Sequence, residues 1–157
     1  IITIDDGELI VTFLDMIENH KMIAENSGLL TVAALKHLNP EGKKVAAIIS
    51  GGNMDVITLS SVVRHGLIAR SRIFTVSVQL PDKPGELMNV SKVIADMKGN
   101  IIKLEHNQFF SINRQAAVEL VITLEAFGPE HKAEIIKTLD EKGYHPVIKN
   151  PTADSQD

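Results

Sequence analysis

Apolar positions in residues 1–70 recur mostly at the three- and four-residue spacing of amphipathic helices. A helix is predicted over about residues 6–20, because Asp5 and Glu8 stand at capping-box spacing before its apolar face. Ser27 is the predicted cap of a second helix, and a third is predicted over residues 55–66. The faces expected to be buried consist of Leu9, Ile10, Phe13, Leu14 and Ile17; Leu30, Ala33, Ala34, Leu35 and Leu38; and Val56, Leu59, Val62 and Val63.

A continuous apolar run at residues 45–49 separates the second helix from the third. Such a run is typical of a strand covered on both faces in a parallel sheet. The chain encodes none of the neighbouring strands that this sheet needs, and each buried unpaired backbone group costs about 1–3 kcal/mol. We therefore expect one of three arrangements: the strand pairs with its copy in another chain, it docks on the edge of a second sheet, or residues 1–70 are loosely ordered.

The periodicity changes near Ser71, where apolar and polar residues begin to alternate as in half-buried strands. The elements predicted beyond it are strands at 74–80, 101–109, 118–124 and 144–149, with helices at 86–97 and 129–141. Their order is β-α-β-β-α-β, which predicts an antiparallel sheet with both helices on one face. The chain is therefore expected to be α+β, with residues 1–70 as a partial α/β segment, residues 72–149 as a second domain, a polar turn at 111–114 and a disordered tail at 150–157.

Composition limits the class of protein. The chain has 157 residues, of which 44% are hydrophobic and 23% charged, the balance of a soluble globular protein. Its net charge of −4 and 4% aromatic content argue against nucleic-acid binding, and no apolar window has the length of a membrane span. The absence of cysteine fits a cytoplasmic location. The first residue is isoleucine, so we interpret the sequence as a fragment.

One candidate site is the turn Ser50-Gly51-Gly52-Asn53, which follows the predicted buried strand. Ligands enter open α/β sheets at the carboxyl ends of their strands. Here the two glycines would let a ligand approach the backbone, and serine and asparagine would supply hydrogen bonds. A plain strand-to-helix turn needs glycine equally often, so both interpretations remain open from the spacing alone.

This turn, together with Glu25-Asn26-Ser27-Gly28 and the strand between, resembles the end of the catalytic domain of serine/threonine dehydratases such as the threonine ammonia-lyases, which are fold-type II pyridoxal-phosphate enzymes. The resemblance implies that Ser50 hydrogen-bonds the pyridine nitrogen of the cofactor. It also implies that Gly51, Gly52 and Asn53 line the pocket, with Glu25 near the ring. The alternative for Glu25 is a solvated carboxylate before the Ser27 cap.

The same family requires a Schiff-base lysine, a substrate-carboxylate loop and a glycine-rich phosphate cradle, and none of them is recognisable in this chain. The parent enzyme implied by the resemblance converts threonine, through a lysine-bound pyridoxal phosphate, to 2-oxobutanoate and ammonia. The chain by itself holds no catalytic residue of that reaction. We expect it to be inactive alone and not to retain the cofactor without the missing part.

Residues 73–149 resemble an ACT domain over nearly their whole length, and the segment Leu80-Pro81-Asp82-Lys83-Pro84-Gly85-Glu86-Leu87 matches the loop before that family's first helix. The resemblance implies an effector site in which the backbone at Gly85 and the amides of Glu86, Leu87 and Met88 hold an amino-acid carboxylate. Asp82 would receive the ammonium group, and Asn100 matches a residue that relatives contribute from a neighbouring subunit. Alternatively, the glycine only shapes a turn and Asn100 only ends a helix.

The sequence thus predicts a regulatory region that binds an aliphatic amino acid, isoleucine or valine first, and forms a homo-oligomer. The alternative is a stand-alone amino-acid-binding or dimerisation module without a catalytic partner. The six histidines show no spacing typical of metal ligands, so no metal site is expected. Neither nucleic acid nor a membrane is an expected partner.

Overall fold

The computed structural model describes residues 1–109 and 117–149, so the predicted turn at 111–114 and the tail lie outside the described residues. Tertiary contacts divide the chain into two compact units, one ending at Arg70 and the other beginning at Ser71. This division falls where the hydrophobic periodicity changes from helical to alternating. Each unit has a hydrophobic core of its own.

Three helices form the first unit: α1 (Asp6–Asp15), α2 (Leu30–Ala34) and α3 (Val56–Ala69). One π-helical turn, Met16–His20, continues α1 to the predicted end, and 3-10 turns at Asn26–Leu29 and Leu35–His37 flank α2. The core consists of Leu9, Phe13, Met16, Ala24, Leu29, Ala33 and Val62. The helical spacing in the sequence correctly predicted Leu9, Phe13, Ala33 and Val62 of this core. On the second helix, Leu30, Leu35 and Leu38 were predicted to be buried and are instead exposed.

The predicted caps of α1 and α2 are only partly present. Asp5 caps α1, since its carboxylate accepts a hydrogen bond from the Glu8 amide at 2.8 Å. In a capping box the Glu8 side chain would also accept from the Asp5 backbone amide. Here Glu8 Oε1 instead lies 2.8 Å from His37 Nε2. Ser27 was wrongly predicted to cap α2, because the chain first forms a 3-10 turn and the Ser27 hydroxyl donates to Glu25 Oε1 at 2.9 Å.

The end of α3 also differs from the prediction, since the helix continues past Gly66 to Ala69. A Cβ added at Gly66 would lie 3.3 Å from two side-chain atoms of Leu14, so this glycine serves a close approach of α1 and α3 rather than a helix stop. Asp55 caps the other end of α3, accepting from the Ile57 and Thr58 amides at 3.0 and 2.9 Å. Val56, which was predicted to face inward, is 78% exposed at this first turn.

Residues 45–49 are not a strand in this structure, contrary to the prediction. Val45 is 46% exposed and Ile48 is 78% exposed. The backbone here is held by isolated contacts such as that from the Thr31 hydroxyl to the Ile48 carbonyl oxygen at 2.7 Å. The described part of this unit contains no strand that could pair with the segment, and a strand without a partner cannot form a ladder.

Four strands and two helices form the second unit: β1 (Ile73–Pro81), α4 (Glu86–Asp96), β2 (Asn100–Phe109), β3 (Ala117–Glu125), α5 (Pro129–Glu141) and β4 (Val147–Lys149). The sheet order is β2-β3-β1-β4 and every neighbouring pair is antiparallel. The predicted α+β class, with a four-stranded antiparallel sheet, is therefore confirmed. β4 is shorter than predicted because the chain first turns through Gly143 and His145, whose φ angles are 86° and 44°.

One face of this sheet packs against both helices. Its strand residues are the alternating set Phe74, Val76, Val78, Leu80, Val118, Leu120, Ile122 and Leu124, and the helices contribute Val90, Ile94, Ile135 and Leu139. Leu87, predicted to share the inner face of α4, is instead 41% exposed. The helices thus cover one side of the sheet and leave the loop that precedes α4 at its edge.

Candidate functional site

A small depression lies where the loop after β1 turns into α4. Gly85 has φ 95° and forms the N-terminal boundary of the helix, a conformation that glycine adopts without strain. The depression has a volume of about 70 Å³. Its lining consists of Leu80, Pro81, Asp82, Lys83, Gly85, Glu86, Leu87, His106, Val118 and Leu120. Four predicted effector residues, Asp82, Gly85, Glu86 and Leu87, therefore meet here.

The start of α4 offers backbone donors to an anion. The first amides of a helix have no acceptor within it, and the helix dipole favours negative charge there. One of the three predicted donors is engaged, since the Glu86 amide donates to the Lys83 carbonyl oxygen over a long 3.4 Å. The amides of Leu87 and Met88 are in the first turn, and both side chains are exposed. Met88 itself does not line the depression.

Asn100 does not join this group within one chain. It is the first residue of β2 and pairs with Glu125, which is also opposite Ile73 at the start of β1. The loop before α4 follows the other end of β1, so the length of the strand separates the two places. The Asn100 amide nitrogen lies 3.2 Å from Glu125 Oε2, and the residue begins a strand rather than ending a helix.

His106 was missed by the sequence analysis. It lies in β2 opposite Leu120, a residue of the core face, and lines the depression from across the sheet. A register shift between Ile101 and Lys103 changes which later β2 residues face the core. Alternation along the sequence cannot reveal such a shift. The position of His106 beside the depression therefore follows only from the pairing register of β2 with β3.

The predicted cofactor residues of the first unit come together in part. The Glu25 amide donates to the Gly51 carbonyl oxygen at 3.3 Å, and the Ser50 amide donates to that of Gly28 at 3.4 Å. A Cβ on Gly51, which has φ 77°, would lie 2.1 Å from Glu25 Oε1. Glu25 and the Ser50-Gly51 turn are therefore neighbours, although 25 residues separate Glu25 from Ser50.

Gly52 and Asn53 continue this turn on the exposed surface. A Cβ added at Gly52 would meet nothing within 4 Å, so the space beside its Cα is open, while its carbonyl oxygen accepts from the Met54 amide at 3.0 Å. The hydroxyl of Ser50 can donate or accept a hydrogen bond, as a ring nitrogen would require. The turn fits one edge of a cofactor site, whereas the chemistry of a Schiff base needs a lysine that these residues do not supply.

The described residues were compared with the requirements of a metal site and of a membrane-spanning helix. Within ranges 1–109 and 117–149, no group of three or more histidine, aspartate or glutamate side chains is placed to hold a metal ion. None of the helices found there is long and apolar enough to cross a membrane.

Comparison with known proteins relates the chain to curated amino-acid lyases. It is 32% identical over 146 residues to the L-threonine ammonia-lyase of Geobacter sulfurreducens, covering 92% of this chain and 36% of that protein. It is 31% identical over 144 residues to the L-threonine ammonia-lyase of Thermotoga maritima, covering 91% and 36%. The biosynthetic L-threonine dehydratase of Haemophilus influenzae is 29% identical over 147 residues, and the match covers 28% of it.

The resemblance recognised in the sequence is thereby confirmed: over nine-tenths of its length, the chain is homologous to part of the threonine ammonia-lyases. It spans only about a third of the length of these relatives, which is consistent with a C-terminal portion of such a protein. No protein-family profile matches the chain. A solved structure of an unknown protein from Galdieria sulphuraria has a TM-score of 0.40 and 22% identity over 50% of this chain and 47% of its own.

Proposed function

We propose that this chain is the regulatory region of a threonine ammonia-lyase and that its second unit binds an aliphatic amino acid. The observation that carries the proposal is the depression before α4. The sequence match extends through nearly the whole chain, and within it Asp82, Gly85, Glu86 and Leu87 converge on one concave surface. Helix-start amides suit a carboxylate, and the Asp82 side chain suits an ammonium group.

The size of the depression supports a site shared between two copies. Its 70 Å³ is less than half of the roughly 150 Å³ of an engineered protein cavity that binds benzene. An isoleucine or valine side chain would therefore extend beyond the lining of a single chain. A second copy would supply the other wall, and its Asn100 could reach a ligand that the same residue of the first copy cannot.

Calorimetric titration with isoleucine and with valine tests this site. Gly85→Val is expected to weaken binding at least tenfold, because a branched residue at φ 95° strains the loop and covers the helix-start amides. Gly143→Val is the matched control: it has φ 86°, equally open surroundings and a position outside the depression. Equal affinity in both variants and the wild type would remove the site assignment, and absence of any binding would remove the effector class.

The first unit would contribute to the cofactor site of the same enzyme. Pyridoxal phosphate, when bound, supplies the electron sink for elimination from threonine. In this proposal the Ser50 hydroxyl holds the ring nitrogen, while Gly51 keeps the backbone close to Glu25. A substrate assay of the chain alone should detect no ammonia release from threonine, because the Schiff-base lysine is missing. Ammonia release by the purified chain would refute this division of roles.

A further inference from the structure

His106 places an imidazole beside the loop before α4. It lies exposed on β2, lines the depression and has no hydrogen bond or ion pair within residues 1–109 and 117–149. The other histidines of this unit are engaged: His131 Nε2 lies 2.7 Å from the Met97 carbonyl oxygen, and His145 Nδ1 lies 2.8 Å from Asp140. A role in holding the fold together therefore explains those two imidazoles but not His106.

The side chains around the depression make this imidazole consequential. The loop contributes two carboxylates, Asp82 and Glu86, and one ammonium group, Lys83, while the β3 residues Val118 and Leu120 are apolar. The N–H of the His106 imidazole is a further donor among these side chains, and a carboxylate bound at the helix-start amides can accept from it.

We propose that His106 donates a hydrogen bond to the carboxylate of the bound amino acid and thereby tightens effector binding. This inference rests on the proposed effector site. A carboxylate placed between the helix-start amides and this imidazole gains a hydrogen bond that the amides alone do not supply.

Calorimetric titrations with isoleucine test the inference on the full chain. His106→Ala should raise Kd roughly two- to tenfold, the scale of one lost hydrogen bond. His145→Ala is the matched control, because it removes an exposed imidazole of the same unit outside the depression and should retain the wild-type Kd.

Imidazole nitrogen resonances provide a readout independent of affinity. Isoleucine should shift the His106 signals and leave those of His131 unchanged. If isoleucine binds but the His106 signals stay fixed, or His106→Ala keeps the wild-type Kd, the His106 contact is wrong while the effector site stands. If neither isoleucine nor valine binds the wild type, the proposed function fails and the inference fails with it.

Discussion

Glu119 on β3 forms a small polar cluster on the sheet face away from the helices. The Ser77 hydroxyl donates to its carboxylate, and Lys149 Nζ lies 3.4 Å from Oε1. The hydrogen bond from Ser77 lowers the pKa of Glu119, partial burial opposes that shift and Lys149 adds to it. Because the folded-state pKa is depressed, the stabilisation is present above the ordinary glutamate pKa and is lost as pH falls through the depressed value.

Ser77→Ala should therefore lower the free energy of unfolding of the second unit by about 1–2 kcal/mol near neutral pH. It should also reduce the amount by which that free energy falls between neutral and acidic pH. Urea unfolding at pH 7 and at about pH 3.5 measures both effects. Thr75→Ala is the matched control, since it removes a neutral hydroxyl pair with Thr123 at 3.0 Å on the same face. That variant should lose stability equally at both pH values. An unchanged acid dependence in Ser77→Ala would contradict this account of Glu119.

Gly28 determines how closely the 3-10 turn before α2 approaches the Ser50 turn. A Cβ at Gly28 would lie 1.5 Å from the Ser50 carbonyl oxygen, which no side-chain adjustment can relieve. Gly28→Ala should destabilise the first unit by about 1–3 kcal/mol, the usual cost of overpacking. Gly52→Ala, in open surroundings at the same turn, should change stability by less than about 0.5 kcal/mol. Equal unfolding midpoints for the two variants would contradict the close approach.

At the scale of elements, residues 45–49 are wholly apolar and β1 alternates apolar with polar residues, yet only β1 forms a strand. β1 lies between β3 and β4, so both its edges have ladder partners. Residues 45–49 have none among the described residues, and their side chains are largely exposed. Strand formation depends on these partners rather than on the local run of valine, alanine and isoleucine.

Hydrogen exchange should distinguish the two segments. Amides of residues 45–49 should exchange within seconds to minutes, whereas those of β1 and β3 should be protected near the limit set by global unfolding. Peptide-resolved exchange at two protein concentrations measures this. Strong, concentration-independent protection of residues 45–49 in a proven monomer would show that the segment has a partner within the chain. Protection that increases with concentration would instead indicate pairing between copies.

At the scale of the whole molecule, the described part of the second unit has a sheet with two edge strands of unequal length. β2 has ten residues and pairs there only with β3, whereas β4 has three residues. Long unpaired edges favour association, and Ile102 stands half-exposed at the irregularity of β2. A dimer formed through this edge would be compatible with an effector site completed by a second copy.

Light scattering at micromolar concentration should therefore find the chain associated, and Ile102→Lys should shift it toward monomer without loss of folding. A lysine on a sheet edge disfavours pairing with another chain. Phe127→Lys is the control, because Phe127 is also exposed but lies outside the strands. A monomeric wild type would exclude the self-association, and equal effects of both substitutions would argue against the β2 edge as the interface.

The local hydrophobic pattern correctly predicted part of the buried faces. Alternation identified Phe74, Val76 and Val78 as core residues of β1, but Thr75 and Ser77 on its other face are also buried, so β1 is not the half-buried strand that alternation predicts. Helical spacing likewise placed Val90 and Ile94 of α4 inside the core, whereas Leu87 at the same predicted face is exposed beyond the sheet edge. Of the candidate sites, sequence alone identified the loop before α4 and the Ser50 turn as places where a backbone could approach a ligand.

The sequence by itself determined the order of the elements in the second unit, the burial of part of their periodic faces and the resemblance to threonine ammonia-lyases. These properties follow from local periodicity and residue identity. Only the tertiary structure decided that His106 faces the loop before α4, that Asn100 lies at the far end of the sheet and that Glu25 adjoins Gly51. Strand register and the packing of distant turns fix those neighbours, and both depend on contacts between residues far apart in the chain.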